Sequence, residues 1–121
     1  MNLRRIVACT LLFGLGFVSG CHSYHIESSV ENRTGDDIEL LEVDYPSASF
    51  GTGNLAAGAS YHYRFQVRGT GPLKVLYSEG AHRTQHQING PDLHERQEGA
   101  LQIVLLPGGK AEFHPALSAV P

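Results

Sequence analysis

The feature that most restricts how this chain can fold is an alternation of apolar and polar residues with a period of two. It is clearest over residues 61–68, where the apolar positions are Tyr61, Tyr63, Phe65 and Val67. Successive side chains of a β-strand point to opposite faces, so this alternation predicts a half-buried strand. Similar alternation recurs along the chain, and no segment after the N-terminus has a convincing helical period. The sequence therefore predicts an all-β protein.

Turn-forming residues separate the predicted strands. Further strands are predicted at residues 24–31, 38–45, 73–77, 84–88, 101–106 and 110–114. The segment from Tyr45 to Gly58 is predicted as a long connection with at most a short strand around Ser49, and Asn89–Gly99 as a polar loop. About seven short antiparallel strands with frequent turns predict an immunoglobulin-like β-sandwich, and a small closed barrel is the alternative.

The second predicted strand changes the parity of its apolar residues. Ile38 and Leu40 are apolar at even positions, whereas Leu41 and Val43 are apolar at odd ones. One extra residue at Leu40-Leu41, a β-bulge, would keep both sets on the core side. The alternative is a helix over residues 37–45, capped by its N-terminal aspartates.

The first 21 residues are typical of an export signal. Arg4 and Arg5 precede an apolar run from Ile6 to Val18, which at ~1.5 Å per residue is too short to span the ~30 Å core of a bilayer. A cleaved signal peptide over residues 1–20 is therefore expected. The segment Val18-Ser19-Gly20-Cys21 resembles the lipobox of bacterial lipoproteins.

That resemblance implies cleavage between Gly20 and Cys21, with diacylglycerol on the Cys21 sulfur and an acyl chain on the new N-terminus. Because His22 rather than aspartate follows, it also implies the outer membrane if the organism has one, and otherwise the outer face of the cell membrane. The segment Val30–Gly35, of the form Val-x-Asn-x-Thr-Gly, is similar to one in small uncharacterised bacterial lipoproteins, which brings no activity with it. Apart from the covalent lipid, no cofactor is expected.

Size and charge limit the function classes. Residues 21–121 are enough for a single domain, whose last residues, 115–121, are predicted to be a loose tail. Loss of Arg4 and Arg5 with the signal takes the formal net charge from −3 to −5, which argues against a nucleic-acid partner. Cys9 leaves with the signal, so Cys21 is the only thiol of the mature chain. The mature protein is expected to be a monomer.

Histidines are the candidate metal ligands. His82, His86 and His94 could form a zinc or copper(II) site, although His82 and His86 would lie ~13 Å apart along an extended strand. A common site would need a turn between them. Scattered exposed histidines are the simpler interpretation, and extracytoplasmic metal binding is kept as an alternative function.

No catalytic motif such as His-Glu-x-x-His, Gly-x-Ser-x-Gly or Cys-x-x-Cys occurs, so the chain is predicted not to be an enzyme, with a small hydrolase as a further alternative.

Tyr45, Phe50 and Asn54 mark the candidate binding loop. The aromatic residues at 61, 63, 65 and 77 are expected in the core, or else as a platform for sugar rings or peptide. The predicted function is a binding or structural module that meets an envelope protein or glycan at the membrane surface.

Overall fold

The computed structural model describes residues 23–119, which form two four-stranded sheets. The strands are β1 (Ile26–Asn32), β2 (Ile38–Tyr45), β3 (Ala48–Leu55), β4 (Ser60–Phe65), β5 (Gly71–Glu79), β6 (Thr84–Leu93), β7 (Gln97–Leu106) and β8 (Lys110–Ala119). The sheet orders are β4-β1-β7-β8 and β3-β2-β5-β6. The predicted all-β sandwich is confirmed, with eight strands rather than about seven, in two separate sheets rather than a closed barrel.

Neighbouring strands are antiparallel with one exception. β1 runs parallel to β7, from the Ile26–Gly99 pair to the Asn32–Leu105 pair, and antiparallel to β4. The apolar run of β7 therefore occupies an interior strand of its sheet, paired on both sides. A strand in that position needs apolar side chains to fill the space between the sheets.

The core lies between the two sheets and follows the period-two pattern. Its fully buried side chains include Ile26, Val30, Ile38, Val43, Leu73, Val75, Leu101, Ile103 and Leu105. These side chains come from the central strands β1, β2, β5 and β7, at alternate positions apart from the bulge of β2. Burial of apolar area of this kind is the main term that stabilises a domain of this size.

The predicted β-bulge is confirmed, but the expected core position of Leu40 is wrong, as is the alternative helix over residues 37–45. The register of β2 against β5 shifts between Glu39 and Glu42. Leu40 takes the left-handed conformation with φ of 52° and is 70% exposed, whereas Leu41 is only 3% exposed. The extra residue turns Leu40 out of the sheet and returns the rest of β2 to the core face.

Three predicted irregular segments are strands instead. Tyr45 and Ala48 pair across a tight turn, so the predicted long connection is the hairpin of β2 and β3. Ser47 has φ of 85°, as the third residue of a type II turn with Pro46 before it requires. The predicted loop over residues 89–99 is also wrong, because β6 runs to Leu93 and β7 begins at Gln97.

The predicted loose tail is wrong for residues 115–119, which belong to β8 and pair with β7. In all three segments, ladder hydrogen bonds to a neighbouring strand outweigh the low strand propensity of glycine, proline and asparagine. The sequence within each segment does not show which strand will lie beside it.

A buried asparagine ties the turn after β1 to the end of β3. Asn32 is fully buried, and its Nδ2 donates to the carbonyl oxygens of Asp36 at 2.8 Å and Leu55 at 2.9 Å. Its Oδ1 accepts from the backbone N–H of Thr34 at 3.1 Å and from the Thr34 hydroxyl at 2.7 Å. All four bonds of the amide stay within the protein, which explains the asparagine and the threonine of the segment Val30–Gly35.

The predicted signal peptide, its cleavage site at Gly20 and the lipidation site Cys21 lie outside the described residues. Within residues 23–119, no helix has the length and apolar character needed to cross a membrane.

Candidate functional site

The side of the sandwich where β3 and β4 approach each other carries a cluster of five aromatic rings, here called the aromatic edge. Its members are Tyr45, Phe50, Tyr61, Tyr63 and Phe65. β3 and β4 are the outermost strands of their sheets on this side, so no further strand covers the space between the sheets. Alternate residues of β4 point into that gap, which is why its three aromatic residues meet those of β2 and β3.

Ring contacts hold the aromatic edge together. Tyr45 and Phe65 lie 4.4 Å apart between centroids, and Phe50 and Tyr63 lie 4.6 Å apart with an interplanar angle of 17°. Pairs at these separations contribute about 0.5–1.5 kcal/mol beyond area burial. Exposure rises steeply across the cluster, from 3% at Phe65 and 6% at Phe50 to 40% at Tyr63. The ring of Tyr63, stacked on that of Phe50, is thus presented to solvent.

Two tyrosine hydroxyls share this environment. Burial, and secondarily the nearby Tyr63 phenol, raise the pKa of Tyr45 above its usual value of 10.0. Tyr45 therefore stays neutral at physiological pH and can both donate and accept hydrogen bonds. The aromatic edge offers stacking area and hydroxyl groups, but no charge.

β3 is an edge strand without the usual protection against pairing. Among the described strands it pairs only with β2, and its sequence, Ala-Ser-Phe-Gly-Thr-Gly-Asn-Leu, contains neither a charged residue nor a proline. By contrast, the edge strands β6 and β8 contain Pro91 and Pro115, and β4 carries Arg64. Charged residues and prolines on edge strands discourage pairing with another chain, so β3 is the least protected edge of the sandwich.

The outer face beside β3 carries two carboxylates, those of Glu42 and Asp44. Glu42 pairs with Gly51, and Asp44 pairs with Ser49, so only small residues of β3 lie next to the two carboxylates. Neither carboxylate forms an ion pair with any residue in the range 23–119. On the far side of β2, Lys74 lies opposite Asp44.

Glycine is required at position 51 for a structural reason. A Cβ there would overlap the backbone carbonyl oxygen of Leu41, at the bulge of β2. Gly53, two residues further along, has open space where a Cβ would be.

The structure divides the predicted binding residues into two groups. Tyr45 and Phe50 meet in the aromatic edge at 6.1 Å, but as members of a hairpin rather than of a loop. Asn54 lies outside the cluster, at an exposed position of β3 where it pairs with Glu39 of β2. The sequence pattern placed Tyr63 in the core, because alternation reveals which face a residue is on but not whether its strand is an edge.

The three candidate histidine ligands are not brought together. His82 lies in the exposed turn between β5 and β6, His86 lies on β6, and His94 follows the end of β6. Eight residues of extended chain separate His86 from His94, which corresponds to about 26 Å. Among the described residues, no group of three His, Cys, Asp or Glu side chains is placed to hold a metal ion.

A shallow hollow of about 620 Å³ lies on the outer face of the other sheet, close to Ser23. The guanidinium of Arg64 there lies 3.2 Å from the Nδ1 of His25 and 3.2 Å from the carboxylate of Glu27. These exposed neighbours already engage Arg64, so the hollow does not present a free cation to a ligand.

A scan against protein-family models and a search of curated proteins both find no match to this chain. Among solved structures, the chain is similar to one described as an NMR structure of a protein from Eubacterium rectale, with a TM-score of 0.56. The similarity covers 84% of this chain and 100% of that chain at 10% sequence identity. At this identity the likeness concerns the fold alone.

Proposed function

We propose that the chain is a lipid-anchored envelope protein whose sandwich is a non-catalytic binding module. It captures an extended peptide segment by adding it as a strand to the free edge of β3. The observation that carries this proposal is the uncharged, proline-free edge of β3 lying beside the exposed ring of Tyr63. Strand addition of this kind takes affinity from main-chain hydrogen bonds and specificity from alternate side chains.

The two faces of the captured strand would meet different surfaces. Side chains on its inner face would contact the rings of Tyr63 and Phe50, which favours apolar or aromatic residues there. Side chains on its outer face would reach over Gly51 and Ser49 toward the carboxylates of β2, at two strand spacings or about 10 Å between backbones. The preferred ligand is therefore an extended segment in which apolar and basic residues alternate.

The anchor would keep this module near the lipid. β1 begins at Ile26, so the backbone between Cys21 and the sandwich spans at most ~17 Å when fully extended. A tether this short favours a partner at the membrane surface, and we place the protein in the outer membrane of a double-membraned organism or on the outer face of a single membrane. A lipid-anchored monomer with an envelope protein as partner fits this arrangement, and a glycan stacked on Tyr63 is the alternative ligand.

Peptide titration of the full-length chain in detergent tests the capture site. The probe is an eight-residue peptide alternating valine or tyrosine with lysine, and its counterpart carries glutamate in place of lysine. We expect backbone resonances of β3 and β4 to shift with the lysine peptide, and binding to weaken at least tenfold in Tyr63→Ser. His62→Ala, an exposed position on the same strand but the opposite face, is the matched control and should bind normally.

A charge on the edge tests the mode of binding. Gly53→Lys adds a cation to β3 where a side chain has room, and should weaken the lysine peptide, whereas Gln87→Lys on the distant edge strand β6 should not. Equal affinity for both peptides, or resonance shifts confined to other strands, would refute capture at β3. Stacking of an oligosaccharide on Tyr63 without any shift along the β3 backbone would favour the glycan alternative.

The anchor is tested separately by intact mass and detergent partitioning. We expect a mature chain that begins at Cys21, carries acyl chains and enters the detergent phase. An unmodified thiol on a chain that stays in the aqueous phase would refute the anchor without bearing on the β3 edge.

A further inference from the structure

Three buried polar atoms of the described residues have no hydrogen-bond partner. They are Tyr77 Oη, Glu79 Oε1 and His86 Nε2. Burying a polar group without a partner costs about 1–3 kcal/mol, so native proteins keep few of them. All three belong to one set of neighbouring side chains, here called the buried polar cluster, which suggests a shared explanation.

The register of β5 and β6 places the cluster together. Tyr77 pairs directly with His86, and Glu79 lies two residues along β5 on the same face as Tyr77. The rings of Tyr77 and His86 lie 5.1 Å apart at an interplanar angle of 43°. His86 Nε2 lies 3.7 Å from Glu79 Oε2. The imidazole nitrogen and the carboxylate therefore face each other without a hydrogen bond.

Gly109, in the turn between β7 and β8, fixes the other side of the imidazole. A Cβ at this position would lie 2.5 Å from His86 Nδ1, so only glycine allows the ring to occupy its place. The imidazole is thus held between the ring of Tyr77 and the backbone of the turn. Its orientation is set by packing, with Nε2 directed at Glu79, before any ligand arrives.

The separation of 3.7 Å suits two ligands of one ion better than a hydrogen bond. Ligand atoms at ~2.0–2.2 Å from a tetrahedral zinc ion lie about 3.4 Å apart, and a small side-chain rotation would close the difference. A hydrogen bond between the same atoms would need ~2.7–3.2 Å. Imidazole nitrogen with carboxylate oxygen is a donor set typical of zinc and copper(II).

Tyr77 is the third member of the buried polar cluster, with its ring 5.1 Å from that of His86. Burial, and secondarily the negative charge of Glu79, raise the pKa of Tyr77 to about 12. The phenol is therefore neutral at physiological pH and near the carboxylate. A neutral hydroxyl can act as a weak ligand or donate a hydrogen bond to a bound water.

We propose that Glu79 and His86 bind a divalent transition-metal ion of the zinc or copper(II) class, with water and the Tyr77 hydroxyl completing its coordination. The Glu79 and His86 side chains are 15% and 19% exposed, so the site lies just below the surface. Because His86 Nε2 is itself buried, an ion enters only with a small side-chain movement. With two firm protein ligands, binding is weaker than at a closed four-ligand structural site, and the ion is exchangeable. This site is independent of the capture of peptide at β3.

Calorimetric titration of the full-length chain in detergent with zinc chloride, and separately with copper(II) chloride, tests the site. We expect one ion per chain and at least a tenfold loss of affinity in both Glu79→Gln and His86→Asn. His82→Ala and His94→Ala remove exposed histidines outside the cluster and should leave the affinity unchanged. Circular dichroism without metal shows whether each variant is folded.

A second readout is the melting temperature, which saturating zinc should raise for the original chain and for His82→Ala but not for folded Glu79→Gln. Absence of saturable binding would overturn the proposal and leave a bridging water to satisfy the cluster. Stoichiometric binding that survives in both cluster variants would also overturn it, because the ion would then sit on other side chains.

Discussion

The amide of Asn32 provides the sharpest test of how the sandwich is held together. Replacing it in Asn32→Ala removes four hydrogen bonds from a side chain with no solvent exposure. The carbonyl oxygen of Asp36 and the hydroxyl of Thr34 keep each other as partners at 3.0 Å. The N–H of Thr34 and the carbonyl oxygen of Leu55 lose the amide as their partner.

The expected loss of stability follows from those two groups. A buried group left without its partner costs about 1–3 kcal/mol, so two groups and the small cavity give a loss of about 3 kcal/mol. Domains of this size are stable by roughly 5–15 kcal/mol, so the change is a large fraction of the total. At ~4–8 °C per kcal/mol, the melting temperature should fall by roughly 12–24 °C.

Urea and thermal unfolding of the full-length chain, followed by near-ultraviolet circular dichroism of its tyrosines, measures this loss. Asn54→Ala is the matched control, because Asn54 is exposed on β3, and it should change stability by less than about 0.5 kcal/mol. Asn32→Asp keeps the side-chain volume but sets a carboxylate oxygen against two carbonyl oxygens, so it should be at least as damaging as alanine. A loss below about 1 kcal/mol in Asn32→Ala, or one equal to that of Asn54→Ala, would refute the reasoning.

Three further predictions concern the bulge, the edge strand and the aromatic edge. Leu40→Asn should raise the free energy of unfolding by about 0.5–1 kcal/mol, because asparagine tolerates the left-handed backbone better than leucine, whereas Leu40→Val should lower it by about 1 kcal/mol. Gly51→Ala should cost more than about 2 kcal/mol through its clash with a backbone carbonyl, and Gly53→Ala should be nearly neutral, both measured by urea unfolding. Because burial raises the pKa of Tyr45 in the folded state, its contribution to stability is complete below pH 10.0 and is lost as pH rises through the folded pKa. Tyrosinate absorbance in the original chain and in Tyr45→Phe measures that late titration.

Each of these predictions has an outcome that would contradict it. Similar stability for the two Leu40 variants would mean that the backbone at the bulge relaxes without cost. Equal effects at Gly51 and Gly53 would show that β3 moves away from the carbonyl oxygen of Leu41. Loss in Tyr45→Phe of a phenol that titrates at or below pH 10.0 would contradict the raised pKa of Tyr45, whereas the late titration of Tyr77 should remain in both proteins.

The bulge shows how far local pattern can be trusted. A change of apolar parity between Leu40 and Leu41 is enough to predict an extra residue, because the residues after it return to the core face only if one position is skipped. The expectation that Leu40 also faces the core is wrong, because the extra residue itself points to solvent. The structure places the register shift at that point. The same logic failed for β3, whose small and polar residues have no alternation of their own and become a strand only by pairing with β2.

The candidate sites are predicted only in part by the sequence. The sequence predicts Tyr45 and Phe50 as binding residues because they are bulky and flank small residues. In the structure their rings lie 6.1 Å apart. The sequence does not predict the association of His86 with Glu79, because spacing along the chain does not show which residues of the neighbouring strand lie opposite. Six residues lie between Glu79 and His86 in the sequence, and only the β5–β6 hairpin brings the two side chains together.

By itself, the sequence determined that this chain forms strands, which residues of most strands face the core, and where β2 is interrupted. These properties follow from the alternation of side chains along an extended backbone, which neighbouring residues determine. The tertiary structure alone decided which strands are edges, how far Tyr63 is exposed, and that Glu79 faces His86 across a gap without a hydrogen bond. Those properties depend on the register between paired strands, whether the strands are distant in sequence or joined by a turn. The energy of pairing over the whole sandwich sets that register.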